Sequence, residues 1–168
     1  MRGLPMTAIA VCMACLAFSV TAQAGVLGPT RPSQLVSLFS SGNNNCGSYG
    51  ASLDLREGAD ATELPFSIPP GQVLVITSAV VNINSPQGPG HSVSFYLRRA
   101  TTSLSSGSNI VTEFAITDAQ NRVDRHFEFP TGVVVKSGVN LCVDAFDYTT
   151  STRAGALAHA QGYLTVDR

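Results

Sequence analysis

The chain has 168 residues, only 12% of them charged, with ten Lys and Arg against eleven Asp and Glu for a formal net charge of -1. Near-neutral charge, a lone adjacent pair at Arg98-Arg99 and the single lysine Lys136 leave no basic stripe, which excludes nucleic acid as a partner. After the N-terminal apolar run no stretch reaches the length of about 20 apolar residues that a membrane-crossing helix needs.

That first run reads as an export signal. Arg2 supplies the positive charge, residues 6–20 are almost uninterruptedly apolar, and Ala22-Gln23-Ala24 has the small-x-small form of a signal-peptidase site. Cleavage is expected after Ala24, leaving residues 25–168 as one domain in the periplasm or outside the cell, with no transmembrane segment. Of the four cysteines, Cys12 and Cys15 lie inside the signal, so Cys46 and Cys142 remain and are expected to form a disulfide. In the chain-entropy model, closing so long a loop stabilises the fold by about 4 to 5 kcal/mol.

Residues 25–33 read as a lead-in and 34–39 as a first strand. Residues 40–50, with three consecutive Asn around Cys46, have loop chemistry because Asn and Gly tolerate positive φ. Ala51 to Arg56 alternates with the period of a half-buried strand. Next comes the phrase Phe66-Ser67-Ile68-Pro69-Pro70-Gly71-Gln72-Val73-Leu74-Val75, which recurs as Phe127-Glu128-Phe129-Pro130-Thr131-Gly132-Val133-Val134-Val135. Both copies fit Phe-x-apolar-Pro-x-Gly and predict a chain corner used twice. Residues 72–84 are long for one strand, which predicts a bulge or bend near Ser78-Ala79.

After a Pro/Gly turn at 85–90, residues 91–98 alternate again and place Val93, Phe95 and Leu97 inward, with Ser94, Tyr96 and Arg98 outward. Residues 109–117 put Ile110, Phe114 and Ile116 on one face. Residues 122–129 put Val123, Phe127 and Phe129 on one face, with Asp124, His126 and Glu128 on the other. If Leu141 and Val143 face the core, Cys142 must face outward, and the asparagine loop is strapped across the outside of the sheet. In the last segment Ala154, Ala156, Ala158 and Ala160 form a small-residue face that would let a strand or subunit approach closely. No 3.6-residue period occurs after the signal. Eight to ten short strands separated by Gly, Pro and Ser turns predict an all-β fold, an antiparallel β-sandwich of jelly-roll-like type.

Asp124, His126 and Glu128 are the best metal-ligand-like cluster, but same-face strand neighbours lie about 6.6 Å apart, so three around one ion would be strained. A solvated outer face is the competing reading. Gly90-His91-Ser92-Val93-Ser94 departs from a nucleophile elbow at its last position and enters a strand, not a helix. His159 sits among alanines as a packed or surface histidine. No cofactor motif is present. The chain has no Trp, so a ligand site built on aromatics must use tyrosines, and Tyr49, Tyr96 and Tyr148 are the candidates.

These features predict an exported, non-catalytic β-sandwich that works in binding or assembly, its partner a carbohydrate or an envelope or surface protein. Two other classes compete. The export signal, single disulfide and near-terminal Gly162-Tyr163 strand are loosely similar to pilin or adhesin subunits assembled by strand donation, although residues 25–40 lack a long alternating donor arm. A metal-dependent enzyme would use the Asp124/His126/Glu128 face. By analogy with tumour-necrosis-factor-like and capsid-like jelly rolls, the alanine face implies a homo-oligomer, most simply a trimer.

Overall fold

Alternating apolar and polar residues, interrupted by Gly, Pro and Asn, dictate strands whose two faces differ, and such strands bury one face by curling a sheet over itself. The computed structural model describes residues 29, 31, 34–41, 46, 50–58, 60–84, 88–100 and 107–167. The signal, its cleavage point and Tyr49 lie outside the described residues. The strands are β1 (Leu35–Ser41), β2 (Ala51–Glu57), β3 (Glu63–Pro65), β4 (Gln72–Asn84), β5 (Ser92–Ala100), β6 (Ser108–Ile116), β7 (Arg122–Lys136), β8 (Asn140–Asp147) and β9 (Thr152–Val166). The fold is all-β, and the pairings between these strands are antiparallel.

The strands form one continuous sheet in the order β6-β5-β8-β2-β1-β9-β4-β7, with the short β3 on β2. At one end β8 also pairs directly with β9, through Ala145 and Ala154, while at the other end β1 and β2 are wedged between them. The two ends of the order come back together. Phe95 of β5 meets Phe127 of β7 with ring centroids 6.0 Å apart. The Arg125 guanidinium of β7 donates to Glu113 of β6 at 2.7 Å, and Arg99 of β5 reaches the Val134 carbonyl of β7 at 3.0 Å. The core inside this curl includes Leu38, Leu74, Ile76, Val81, Ile83 and Phe95.

The long β4 carries the expected irregularity. Register against both β7 and β9 shifts between Ile76 and Ser78, so Leu74 and Ile76 face the core before the shift, and Ala79, Val81 and Ile83 after it. Opposite this point Ile76 pairs with Val133 and Ser78 with Glu128, so the second corner phrase is an outpouching within β7 and does not join two strands. Gly71 and Gly132, the glycines of the two phrases, have φ of 74° and 71°, a left-handed conformation that costs other residues about 1 kcal/mol or more. A Cβ on Gly71 meets nothing within 4 Å, whereas one on Gly132 would stand 2.4 Å from Val75 Cγ1. Gly71→Ala is therefore expected to destabilise by about 1 kcal/mol and Gly132→Ala by about 2 kcal/mol, read as midpoint shifts in urea unfolding.

One expected face is not kept. Phe114 and Ile116 point outward, 62% and 61% exposed, while Ala115 is buried. Register between β5 and β6 shifts at Leu97/Arg98, which turns the strand over, and Glu113 faces inward to Arg125 because the sheet closes there. The alanines of β9 face the core: Ala158 and Ala160 belong to it, and Ala154 and Ala156 pack against it. They let neighbouring elements of the fold approach closely, the strand alternative of the two expected for a small-residue face.

The far end of the core is closed by a polar plug. The buried Asp147 carboxylate accepts from the Thr149 and Thr150 backbone N–H groups at 2.9 and 3.2 Å, and its other oxygen lies 2.8 Å from His91 Nδ1. Thr117 joins the same end, its hydroxyl donating to the Gly88 carbonyl and accepting from the His91 N–H. Asp147→Ala strips acceptors from buried donors and is expected to destabilise by about 2 kcal/mol in urea unfolding.

Candidate functional site

Outward residues of β6, β5 and β8 meet because register aligns them. Ser94 pairs with Phe114 on one side and Phe146 on the other, and Tyr96 pairs with Thr112 and Asp144. Tyr148, just past β8, folds back over this face. Its ring centroid lies 5.8 Å from that of Phe114, tilted by 31°, and 5.0 Å from that of Phe146, edge-on at 74°. These are the offset and edge-to-face arrangements that aromatic quadrupoles favour.

Hydroxyl groups tie the aromatics together. Ser94 Oγ donates to Tyr96 Oη at 3.2 Å. The Tyr148 phenol is held below its ordinary pKa of 10 by the Tyr96 hydroxyl first and Ser94 second, against a smaller opposing effect of desolvation. Because the phenolate is favoured in the fold, this contribution to stability is fully present only above the ordinary value and vanishes as pH falls through the depressed one. An ultraviolet titration of the tyrosines is expected to show one phenol ionising early, and Tyr96→Phe is expected to move that phenol back up.

Beside the aromatics sits a charged group. The nearly buried Asp144 accepts from Arg98 Nη2 at 2.5 Å and from Arg153 Nη1 at 2.7 Å. Arg98 also lies over the Tyr96 ring, 5.4 Å from its centroid, a cation–π distance. Two guanidinium groups on one carboxylate give this spot a local excess of positive charge and fork-shaped donors suited to carboxylates. The exposed part of the face thus presents Phe114, Ile116 and Tyr148, the last 48% exposed, beside two arginines.

Below Arg98 on the same side, Cys142 pairs across to it in register and forms the disulfide with Cys46. With Ala100 the two cysteines make a small cluster separate from the main core, so the bridge lies on the outside of the sheet, as alternation required.

Of the tyrosines named from sequence, Tyr96 and Tyr148 converge on this face. Sequence reasoning missed Phe114, Phe146, Arg98, Asp144 and Arg153; the outward phase already read for Tyr96 would have recruited Arg98. The Asp124, His126 and Glu128 side chains do share the outer face of β7, but they are otherwise engaged. Asp124 accepts from the Asn82 side chain at 2.7 Å, and His126 lies 2.9 Å from Glu128 with both well exposed. Among the described residues no group of three His, Cys, Asp or Glu is placed to hold a metal ion. His159 stacks on Phe39 with centroids 4.4 Å apart and planes within 6°, and its Nε2 lies 2.7 Å from Ser37 Oγ. Ser94 is fully buried. The chain matches no known family model and no curated protein.

Proposed function

We propose that this protein is an exported, non-catalytic binding protein, and that its ligand face is the outer surface of β5, β6 and β8. One observation carries the reading: Tyr96, Phe114, Phe146 and Tyr148 gather on the solvent side of the sheet beside the Arg98–Asp144–Arg153 group. Exposed apolar rings on the outside of a folded sheet are costly to leave in water and mark interaction surfaces. Rings offering a flat face next to guanidinium forks suit a saccharide, whose C–H faces stack on aromatics, and the surplus of positive charge favours a uronic or other acidic sugar. The disulfide supports an oxidising compartment, periplasmic or extracellular.

Since the chain has no Trp, its emission comes from four tyrosines, of which Tyr96 and Tyr148 lie on this face, and the Tyr148→Phe variant identifies their share of any change. A uronate trisaccharide is expected to change that emission saturably, and a neutral trisaccharide of the same length to bind at least about tenfold more weakly. Equal binding of both, or of neither, would remove the carbohydrate reading.

An envelope or surface protein is the second partner class, favoured by the exposed Ile116 and Phe114 on an edge strand. Strand donation has less support: β1 and β9 are each paired on both sides, so neither of the strands nearest the termini is free to extend into another subunit.

A further inference from the structure

At the end of the core opposite the Asp147 plug, the first corner phrase and the turn between β7 and β8 flank a cavity of about 370 Å³. Its inner wall is made of core side chains, Leu38, Leu53, Leu74, Val135 and Leu141. Its outer walls are the segment carrying Phe66 and Ile68 on one side and the turn between β7 and β8 on the other. These walls are fixed to each other and to the sheet, because Ser137 Oγ donates to the Ile68 carbonyl at 2.9 Å and the Phe66 N–H donates to the Asp54 carbonyl at 2.7 Å. The hollow opens to solvent on one side and reaches core leucines on the other, so it offers an apolar floor without any rearrangement of the fold. Its volume falls within the range of small-molecule sites, about 300 to 1,000 Å³, which are mostly apolar with a few polar groups.

The polar groups decide what enters. Ser52, Asp54, Ser137 and Asn140 line the cavity, and Asp54 contributes the one ionisable side chain among its lining residues. A carboxylate in an apolar wall attracts an ammonium or a hydrogen-bond donor and repels a second carboxylate.

We infer that this cavity is a second binding site, distinct from the aromatic face, for a small lipophilic molecule carrying an amine or alcohol head, with the apolar body against the core leucines and the head at Asp54. The repeated Phe-x-apolar-Pro-x-Gly phrase then serves the site: the first copy builds one wall, and the second leads the chain through Val135 into the opposite wall.

The test uses the purified protein and the fluorescent probe aminoanthracene, a flat apolar amine smaller than the cavity. The probe is expected to brighten saturably. Octylamine is expected to displace it at concentrations about tenfold lower than octanoate does, and Asp54→Asn to bring the two competitors within about twofold. Ile68→Trp, which fills the hollow, is expected to lose the probe while keeping the melting transition. Val139→Trp provides the same test from the opposite wall should the first variant fail to fold. No brightening, equal displacement by octylamine and octanoate in the unaltered protein, or undiminished probe binding in a folded filled variant each overturns the inference.

Discussion

Replacing Cys46 and Cys142 together by Ser is expected to cost about 4 kcal/mol of stability and to lower the melting temperature by about 10 °C or more. The bridge joins positions 96 residues apart, so its loss releases a long loop in the unfolded chain. Both cysteines are 1% exposed, and the small cluster they form with Ala100 lies outside the main core. Buried serine hydroxyls would add a desolvation cost of their own. Urea unfolding of the oxidised protein against the double variant measures the difference. A change below about 1 kcal/mol would mean that strand pairing between β2 and β8 already fixes this region without the covalent strap.

The second large effect concerns binding. Tyr148→Ala with Phe114→Ala is expected to weaken the uronate trisaccharide by about 100-fold, since truncation of a central aromatic contact commonly costs tenfold or more. Both rings are exposed and neither belongs to the core, so the melting temperature is expected to stay within a few degrees. Arg153→Ala is expected to weaken the acidic sugar while leaving the neutral one unchanged, because it lowers the local positive charge without touching the rings. A double variant that bound as well as the parent would place the ligand elsewhere.

Much of the fold was legible from alternation alone. Val93, Phe95 and Leu97 are fully buried, Asp124, His126 and Glu128 are exposed, and Cys142 lies opposite its core-facing neighbours, all consequences of a period of two. The length of residues 72–84 announced the bulge at Ile76/Ser78. What local pattern could not supply was pairing between distant strands. In β6 the sequence offers Ile110, Phe114 and Ile116 against Val111, Glu113 and Ala115, and the apolar set looks like the core face. Glu113 turns inward because Arg125, from the opposite end of the sheet, waits for it when the curl closes. The alanines of β9 looked like a contact surface because nothing in their own segment shows that they share a core with Phe95. The site follows the same rule. Tyr96 and Tyr148 were visible as amphipathic aromatics, but Phe114, Phe146 and Arg153 join them through the register of β5 with β6, of β5 with β8 and of β8 with β9.

The central claim is that the outer face of β5, β6 and β8 holds the ligand, and side-chain NMR of the aromatic rings tests it most directly. During titration with the uronate trisaccharide, the ring resonances of Tyr96, Phe114, Phe146 and Tyr148 are expected to move together and saturate, with those of Phe39 and Phe66 unmoved. Shifts confined to Phe39 and His159, or to Phe66 at the end cavity, would contradict the account, as would no shift in any ring.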